Sequence, residues 1–210
     1  MLDSVRFYFS FRSPYSWLGF YRLQKIVDRL PVTIEYIPGY PQEGIGTDIA
    51  SMGKRKMLYI SHDIKRFTDA YGLKLNWPES VDTNWRVPTN IFIYAMDNHA
   101  GIDFALNAYS ARFEQGMDIG EETVIKKVAE SSSLDPDAAY AAASDPHYQD
   151  RFEQYDEIKR KDRYFGVPFF IFNGNKYWGN DRLEWLIRDI YHSNKMDIPD
   201  LMNDPFLRPF

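Results

Sequence analysis

A chain of 210 residues that is 44% hydrophobic and 17% aromatic has ample material for a buried core, and this composition excludes a disordered polymer. Its formal net charge of −5 argues against nucleic acid as the main partner. It contains no cysteine, which excludes a disulfide and any thiol nucleophile of its own.

Val5 to Phe9 is β-branched and aromatic and predicts a buried strand. Ser13-Pro14 then predicts a helix start, because serine is a preferred cap and proline loses nothing at the first helical position. A strand running straight into a helix N-terminus gathers unpaired backbone N–H groups and a partial positive charge, where an anion can be held. Tyr15, Leu18, Leu23, Ile26, Val27 and Leu30 carry this helix to Pro31. Val32 to Ile37 reads as a second strand, closed by Pro38-Gly39. The expected unit is βαβ, with parallel strands and a right-handed crossover.

From about Gly44 to Asp162 the pattern is helical. Lys56, Tyr59, Asp63, Arg66 and Phe67 lie on a helix that stops at Tyr71-Gly72. Trp77-Pro78 and Arg86-Val87-Pro88 read as loop, with Thr89 or Asn90 opening the next helix. Further helices are expected over Asp103 to Gln115 and Glu121 to Glu130. Asp135-Pro136 and Asp145-Pro146 are cap-plus-proline starts, the second leading to about Arg163. After Gly166-Val167-Pro168 comes the strand-like Phe169 to Phe172, then the Asn173-Gly174 hairpin signal and a short strand, Lys176 to Trp178. Gly179-Asn180-Asp181 opens the last helix, with Leu183, Leu186, Ile187 and Ile190 on its buried face, and Met196 to Phe210 reads as irregular coil.

The order β-α-β, helical block, β-β-α is that of an α/β thioredoxin-like fold: a four-stranded mixed sheet split by a large helical insertion. The expected division is a discontinuous thioredoxin-like domain over 1–43 and 164–195, an insertion over 44–163 and a tail over 196–210. Pro168 falls where that fold carries a cis-proline facing the first helix N-terminus. Ser13-Pro14-Tyr15-Ser16 resembles the Cys-Pro-Tyr-Cys redox motif of glutaredoxin-type proteins, with serine at both cysteine positions. A sulfur anion at this helix end must therefore arrive on a ligand. The plainer alternative is that Ser13 is only a cap, worth about 1 kcal/mol.

Ser13-Pro14-Tyr15-Ser16-Trp17-Leu18-Gly19-Phe20 resembles the N-terminal signature of kappa-class glutathione transferases. Phe165-Gly166-Val167-Pro168 and Trp178-Gly179-Asn180-Asp181-Arg182-Leu183 more closely resemble the 2-hydroxychromene-2-carboxylate isomerase family; Lys56-Met57-Leu58-Tyr59 with Asp63 fits both. The resemblance implies glutathione as cosubstrate. Ser13 would hydrogen-bond its thiolate, the Val167 backbone before Pro168 would pair with its cysteinyl backbone, and Asn180 and Asp181 would hold its γ-glutamyl end. Asn180-Asp181 also reads simply as a helix cap. Lys56 is a candidate for a ligand carboxylate or a surface lysine. Arg12 is a candidate for aiding the thiolate or attracting an anionic substrate, with solvated loop charge as the alternative; Arg86 is a candidate carboxylate clamp, and Tyr59 a candidate for an aromatic wall. The family usually has an acid where Ser10 stands, and an asparagine in the loop before the Lys56 helix; Thr47 and Ser51 are the candidates for the asparagine's place.

Other chemistries find no support. His62, His99, His147 and His192 lack metal-ligand spacing, so no metal is expected. Gly53-Lys54-Arg55 lacks the glycines and Ser/Thr of a phosphate loop, and Gly44-Ile45-Gly46 lacks the third glycine of a dinucleotide fingerprint. No apolar run spans a membrane, and Met1 to Ser4 leads directly into a strand, leaving no space for a signal peptide; a cytoplasmic protein is expected. The resemblance further implies a homodimer acting on a small aromatic or electrophilic substrate. Three functions follow: a glutathione-dependent isomerase acting on an aromatic carboxylate, a kappa-like glutathione transferase, or a redox-inactive thiol- or peptide-binding module.

Overall fold

The largely apolar run Val5 to Phe9 of the first strand and the serine cap after it both act locally, and the chain folds accordingly. In a computed structural model that describes residues 3–39, 53–80 and 82–197, the order is β1 (Ser4–Phe9), α1 (Pro14–Gln24), β2 (Thr33–Pro38), α2 (Lys54–Tyr71), α3 (Arg86–Asp97), α4 (Gly101–Tyr109), α5 (Glu122–Ser131), α6 (Pro136–Ala142), α7 (Pro146–Asp162), β3 (Phe169–Phe172), β4 (Asn175–Trp178) and α8 (Leu183–Ser193). The strands form one mixed four-stranded sheet in the order β2-β1-β3-β4. The α/β thioredoxin-like fold expected from the sequence is the fold observed.

Register fixes which loops share an end of the sheet. β3 runs antiparallel to β1, with Tyr8 opposite Phe169 and Phe7 opposite Phe170. β4 runs antiparallel to β3, with Phe169 opposite Trp178. The exit of β1, the entry to β3 and the exit of β4 therefore lie at one end, bringing the Ser10–Ser13 turn, Val167-Pro168 and Gly179–Asp181 to the same edge. The β3–β4 hairpin turns at Asn173 and Gly174, whose φ values of 47° and 79° are the left-handed pair that a two-residue turn requires.

Two compact units emerge, Met1–Ile37 with Gly166–Phe210, and Pro38–Phe165. The first is built on an aromatic core: Phe7 stacks on Phe170 at 4.5 Å, and Phe9 meets Phe20 edge-on at 5.3 Å. In the second, Ile91, Phe92, Phe104, Tyr109, Phe113 and Ile125 are buried among the helices. Among the described residues no helix is long and apolar enough to cross a membrane. No group of three or more His, Asp or Glu among them is placed to hold a metal ion.

Several element bounds differ from the sequence expectation. Arg86-Val87-Pro88 is the first turn of α3 and not loop, because a first-turn proline gives up only an N–H that has no helical partner. The first helix ends at Gln24, and Val27–Arg29 is a separate short 3-10 turn. The helix that starts at Gly101 passes into a π-helical turn at Ser110–Glu114. Thr47, Ser51, Gly44-Ile45-Gly46, the expected insertion boundary at 44 and the tail beyond 197 lie outside the described residues.

Candidate active site

The exit of β1 is closed by three serines that hydrogen-bond one another's backbone. Ser13 is the α1 cap in extended conformation, and its hydroxyl oxygen accepts from the Ser16 N–H at 3.1 Å. Its carbonyl accepts from Trp17 at 3.1 Å and so begins the helix. Ser16 is fully buried and turned back, its Oγ accepting from the Ser10 N–H at 3.3 Å. Ser10 in turn accepts from Arg12 N–H at its hydroxyl, 3.3 Å, and from Ser13 N–H at its carbonyl, 3.0 Å. Serines at the two positions of the motif thus differ in role: Ser16 is a buried brace, whereas Ser13 is half-buried and keeps a hydroxyl proton to donate. The first turn of α1 carries no acidic side chain, so nothing there offsets the positive end of the helix dipole.

Against this helix lies the entry to β3. The Val167-Pro168 peptide bond is cis, with Pro168 buried and Val167 half-buried. A Cβ placed on Gly19 of α1 would come within 3.2 Å of the Pro168 ring, so glycine is what lets the helix seat there. The Pro168 carbonyl accepts from Gly179 N–H at 3.0 Å, which ties the exit of β4 to the same segment. On the other side, a Cβ on Gly166 would fall 2.6 Å from Trp178 Nε1; the bare backbone admits the indole, which is 56% exposed.

The third component is the turn Gly179-Asn180-Asp181. Gly179 has φ 117°, and a side chain on it would collide with the Asp181 carboxylate. Asn180 is 2% exposed, and Asp181 is exposed and pairs with Arg182 at 3.0 Å. Arg22, also 2% exposed, reaches across from α1, its Nη1 donating to the Asn180 carbonyl and lying 3.5 Å from Asn180 Oδ1. Burial raises the Glu184 carboxyl above its ordinary value, against the opposing charges of Arg22, Arg182 and Arg188.

Ser13, Val167, Pro168, Asn180 and Asp181 are thus gathered in one unit at one end of its sheet, with Arg12 half-buried in the turn beside Ser13. Lys56, Tyr59 and Arg86 belong to the helical unit: Lys56 and Tyr59 are exposed on α2, and Arg86 is exposed at the start of α3, its N–H donating to Asn84 Oδ1 at 3.3 Å. The sequence reading missed Arg22. Its signal is a cation on the apolar stripe of α1, one helical turn from Leu18, where a hydrophobic residue is the ordinary choice.

A sheet of this order with a serine-capped helix against a cis-proline defines a thioredoxin-type protein without its cysteines. The chain belongs to the family of the DSBA-like thioredoxin domain, whose model matches residues 4–190. Among proteins of assigned activity it is similar to a 2-hydroxychromene-2-carboxylate isomerase of Sphingobium xenophagum, 27% identical over 192 residues that cover 89% of this chain and 97% of that one. A protein of the same name from Pseudomonas putida is 27% identical over 186 residues, 85% of this chain and 90% of that one. The solved structure of a 2-hydroxychromene-2-carboxylate isomerase superposes with a TM-score of 0.81 at 25% identity, covering 91% of this chain and 96% of that one. The cytosolic disulfide reductase DsbM of Pseudomonas aeruginosa with GSH matches at a TM-score of 0.65 and 12% identity, over 91% and 97% of the two chains, a likeness of fold.

Proposed function

We propose that this protein is a glutathione-dependent isomerase of the 2-hydroxychromene-2-carboxylate isomerase type, acting on a small aromatic carboxylate. The observation that carries the reading is the uncompensated N-terminus of α1 in a chain without cysteine: a neutral hydroxyl caps it, no acid lies in its first turn, and the sulfur must come from outside. Those residues suit a bound thiol, since the helix end favours an anion and Ser13 has a proton to donate to it. Full-length similarity to proteins named for that isomerase supports the reaction type.

When bound, glutathione supplies a thiolate that adds reversibly to a conjugated double bond and leaves unchanged. Everything else falls to the chain. A free thiol of pKa about 8.5 is only a few per cent ionised at neutral pH. A helix end contributes ~0.3–1 kcal/mol, and up to ~2 when partly buried, to stabilising the anion. A hydrogen bond from Ser13 to the charged sulfur adds ~1.5–3 kcal/mol. At ~1.4 kcal/mol per unit, these together lower the thiol pKa by about one to two units. Ser13 is then a donor that positions and stabilises; it attacks nothing and needs no base. The Val167 backbone beside cis-Pro168 pairs with the cysteinyl backbone, Asn180 and Asp181 hold the γ-glutamyl end, and Arg12 supplies positive charge for an incoming carboxylate.

The test is a calorimetric titration of glutathione into the wild type and Ser13→Ala, with thiolate absorbance followed in parallel. The expected result is binding with a thiolate signal that fades in Ser13→Ala, together with interconversion of 2-hydroxychromene-2-carboxylate at constant total thiol. Steady loss of glutathione into an adduct would instead make it a kappa-like transferase. No binding to either protein would overturn both enzymatic readings.

A further inference from the structure

We infer that Arg22 is a positioning residue for the γ-glutamyl end of the bound thiol, acting through Asn180; the inference rests on the glutathione reading above. A guanidinium is among the most costly groups to bury, and hydrogen bonds to its donors or an aromatic face offset that cost. Arg22 is 2% exposed on a helix whose neighbouring Leu18 and Leu23 are completely buried. A leucine at this place would complete the apolar stripe without that cost. The arginine must therefore be judged by what it holds.

It holds one residue twice. Nη1 donates to the main-chain carbonyl of Asn180 and approaches the side-chain oxygen of the same residue at 3.5 Å, across a sequence separation of 158. That contact joins α1, which carries Ser13 at its start, to the Gly179–Asp181 turn. The same helix is seated against the Pro168 ring at Gly19. Two fixed points on one helix, Gly19 on cis-Pro168 and Arg22 on Asn180, thus set the spacing between the thiol end of the site and the amino-acid end. The rigid guanidinium plane presents Nη1 to both oxygens of Asn180 in a fixed direction, whereas a lysine ammonium is a point charge on a flexible stem. A lysine here would keep the charge and lose the alignment.

The deciding measurement compares two thiols on Arg22→Lys: glutathione, and cysteinylglycine, which has the thiol and lacks the γ-glutamyl group. Calorimetric Kd for both, the thiolate absorbance against pH, and a thermal melt are recorded for the wild type and the variant. The expected result is a roughly tenfold or greater loss for glutathione, the size of one misplaced charge-assisted contact, with cysteinylglycine changed less than about twofold. The pH midpoint of the thiolate signal stays where it is in the wild type, because Ser13 and the end of α1 are untouched. Equal weakening of both thiols, or of neither, overturns the inference and leaves the glutathione reading standing. Failure of the wild type to bind glutathione overturns the reading and this inference together. If the melt shows that Arg22→Lys does not fold, Arg22→Gln, a planar neutral donor, takes its place: selective loss of glutathione again supports the inference, and equal weakening of both thiols or of neither again overturns it.

Discussion

α1 and α7 begin with the same grammar, a capping residue followed by proline, and each buries one cation. They resolve their charges in opposite ways. α7 meets its two ends and its buried cation within itself, although its half-buried Arg151 pairs with Asp97 of α3: Asp145 caps it and accepts from the His147 N–H at 2.8 Å, and Lys159, Arg160 and Lys161 stand in its last turn against the negative end. Its buried Lys159 donates to Asp156 of the same helix at 2.6 Å and lies 4.3 Å over the Phe152 ring. α1 has a neutral cap, no acid in its first turn, and a buried cation whose described partner lies at the other end of the chain. The helix that leaves its positive end open and spends its cation on a distant turn is the one on which the candidate site is built.

Breaking the local pair tests the α7 half of this contrast and has the largest expected effect. Lys159→Met removes the cation that Asp156, whose side chain is 13% exposed, pairs with, and costs about 3 kcal/mol in urea unfolding. The double variant Asp156→Asn with Lys159→Met recovers more than half of that loss, because burial holds the Lys159 pKa below its usual value even with Asp156 beside it. Were the double variant no better than the single one, the buried cation of α7 would not be balanced within its own helix.

The α1 half can be sharpened through its other tie across the fold, Gln24 Nε2 donating to the Tyr36 hydroxyl at 2.8 Å. Burial raises the Tyr36 pKa to about 12 from an ordinary 10.0. A folded-state pKa above the unfolded one means that the neutral phenol contributes fully below pH 10.0, and that this contribution is lost as pH rises through about 12. The stability difference between the wild type and Tyr36→Phe therefore shrinks by on the order of 2 kcal/mol across that window. A difference that stays constant with pH would mean the phenol is not held neutral.

Exchanging the two caps gives the smallest change in stability and the sharpest change in binding. Ser13→Asp gives α1 the carboxylate it lacks, gains ~0.3–1 kcal/mol from the dipole, and repels a thiolate so that calorimetric glutathione binding is lost. Asp145→Ser costs a few tenths of a kcal/mol, about the value of that charge at an exposed helix end, and leaves glutathione binding unchanged. Undiminished glutathione binding by Ser13→Asp would show that the open end of α1 is not where the thiol sits.

Sequence alone settled what is decided within a few residues. Ser13-Pro14, Asp135-Pro136 and Asp145-Pro146 announce helices because a cap and a proline act on the turn that follows, and all three begin one. Asn173-Gly174 announces the hairpin because both residues tolerate positive φ. The absence of cysteine, and with it of any thiol of the chain's own, is a matter of composition. Tertiary structure decided the rest. Pro88 looked like a break and proved to be a first-turn proline, since its neighbours Val87, Thr89 and Asn90 are buried and packing favours helix there. Ser13 and Ser16 are the same residue type in one motif, and only the fold of the Ser10 turn makes one a brace and leaves the other with a proton to donate. Arg22 carried no local meaning beyond a charge on an apolar stripe, because the carbonyl it serves is 158 positions away. Cap and turn energies are local and can be read from neighbouring letters. A buried charge takes its meaning from its partner, and only the folded chain supplies that partner.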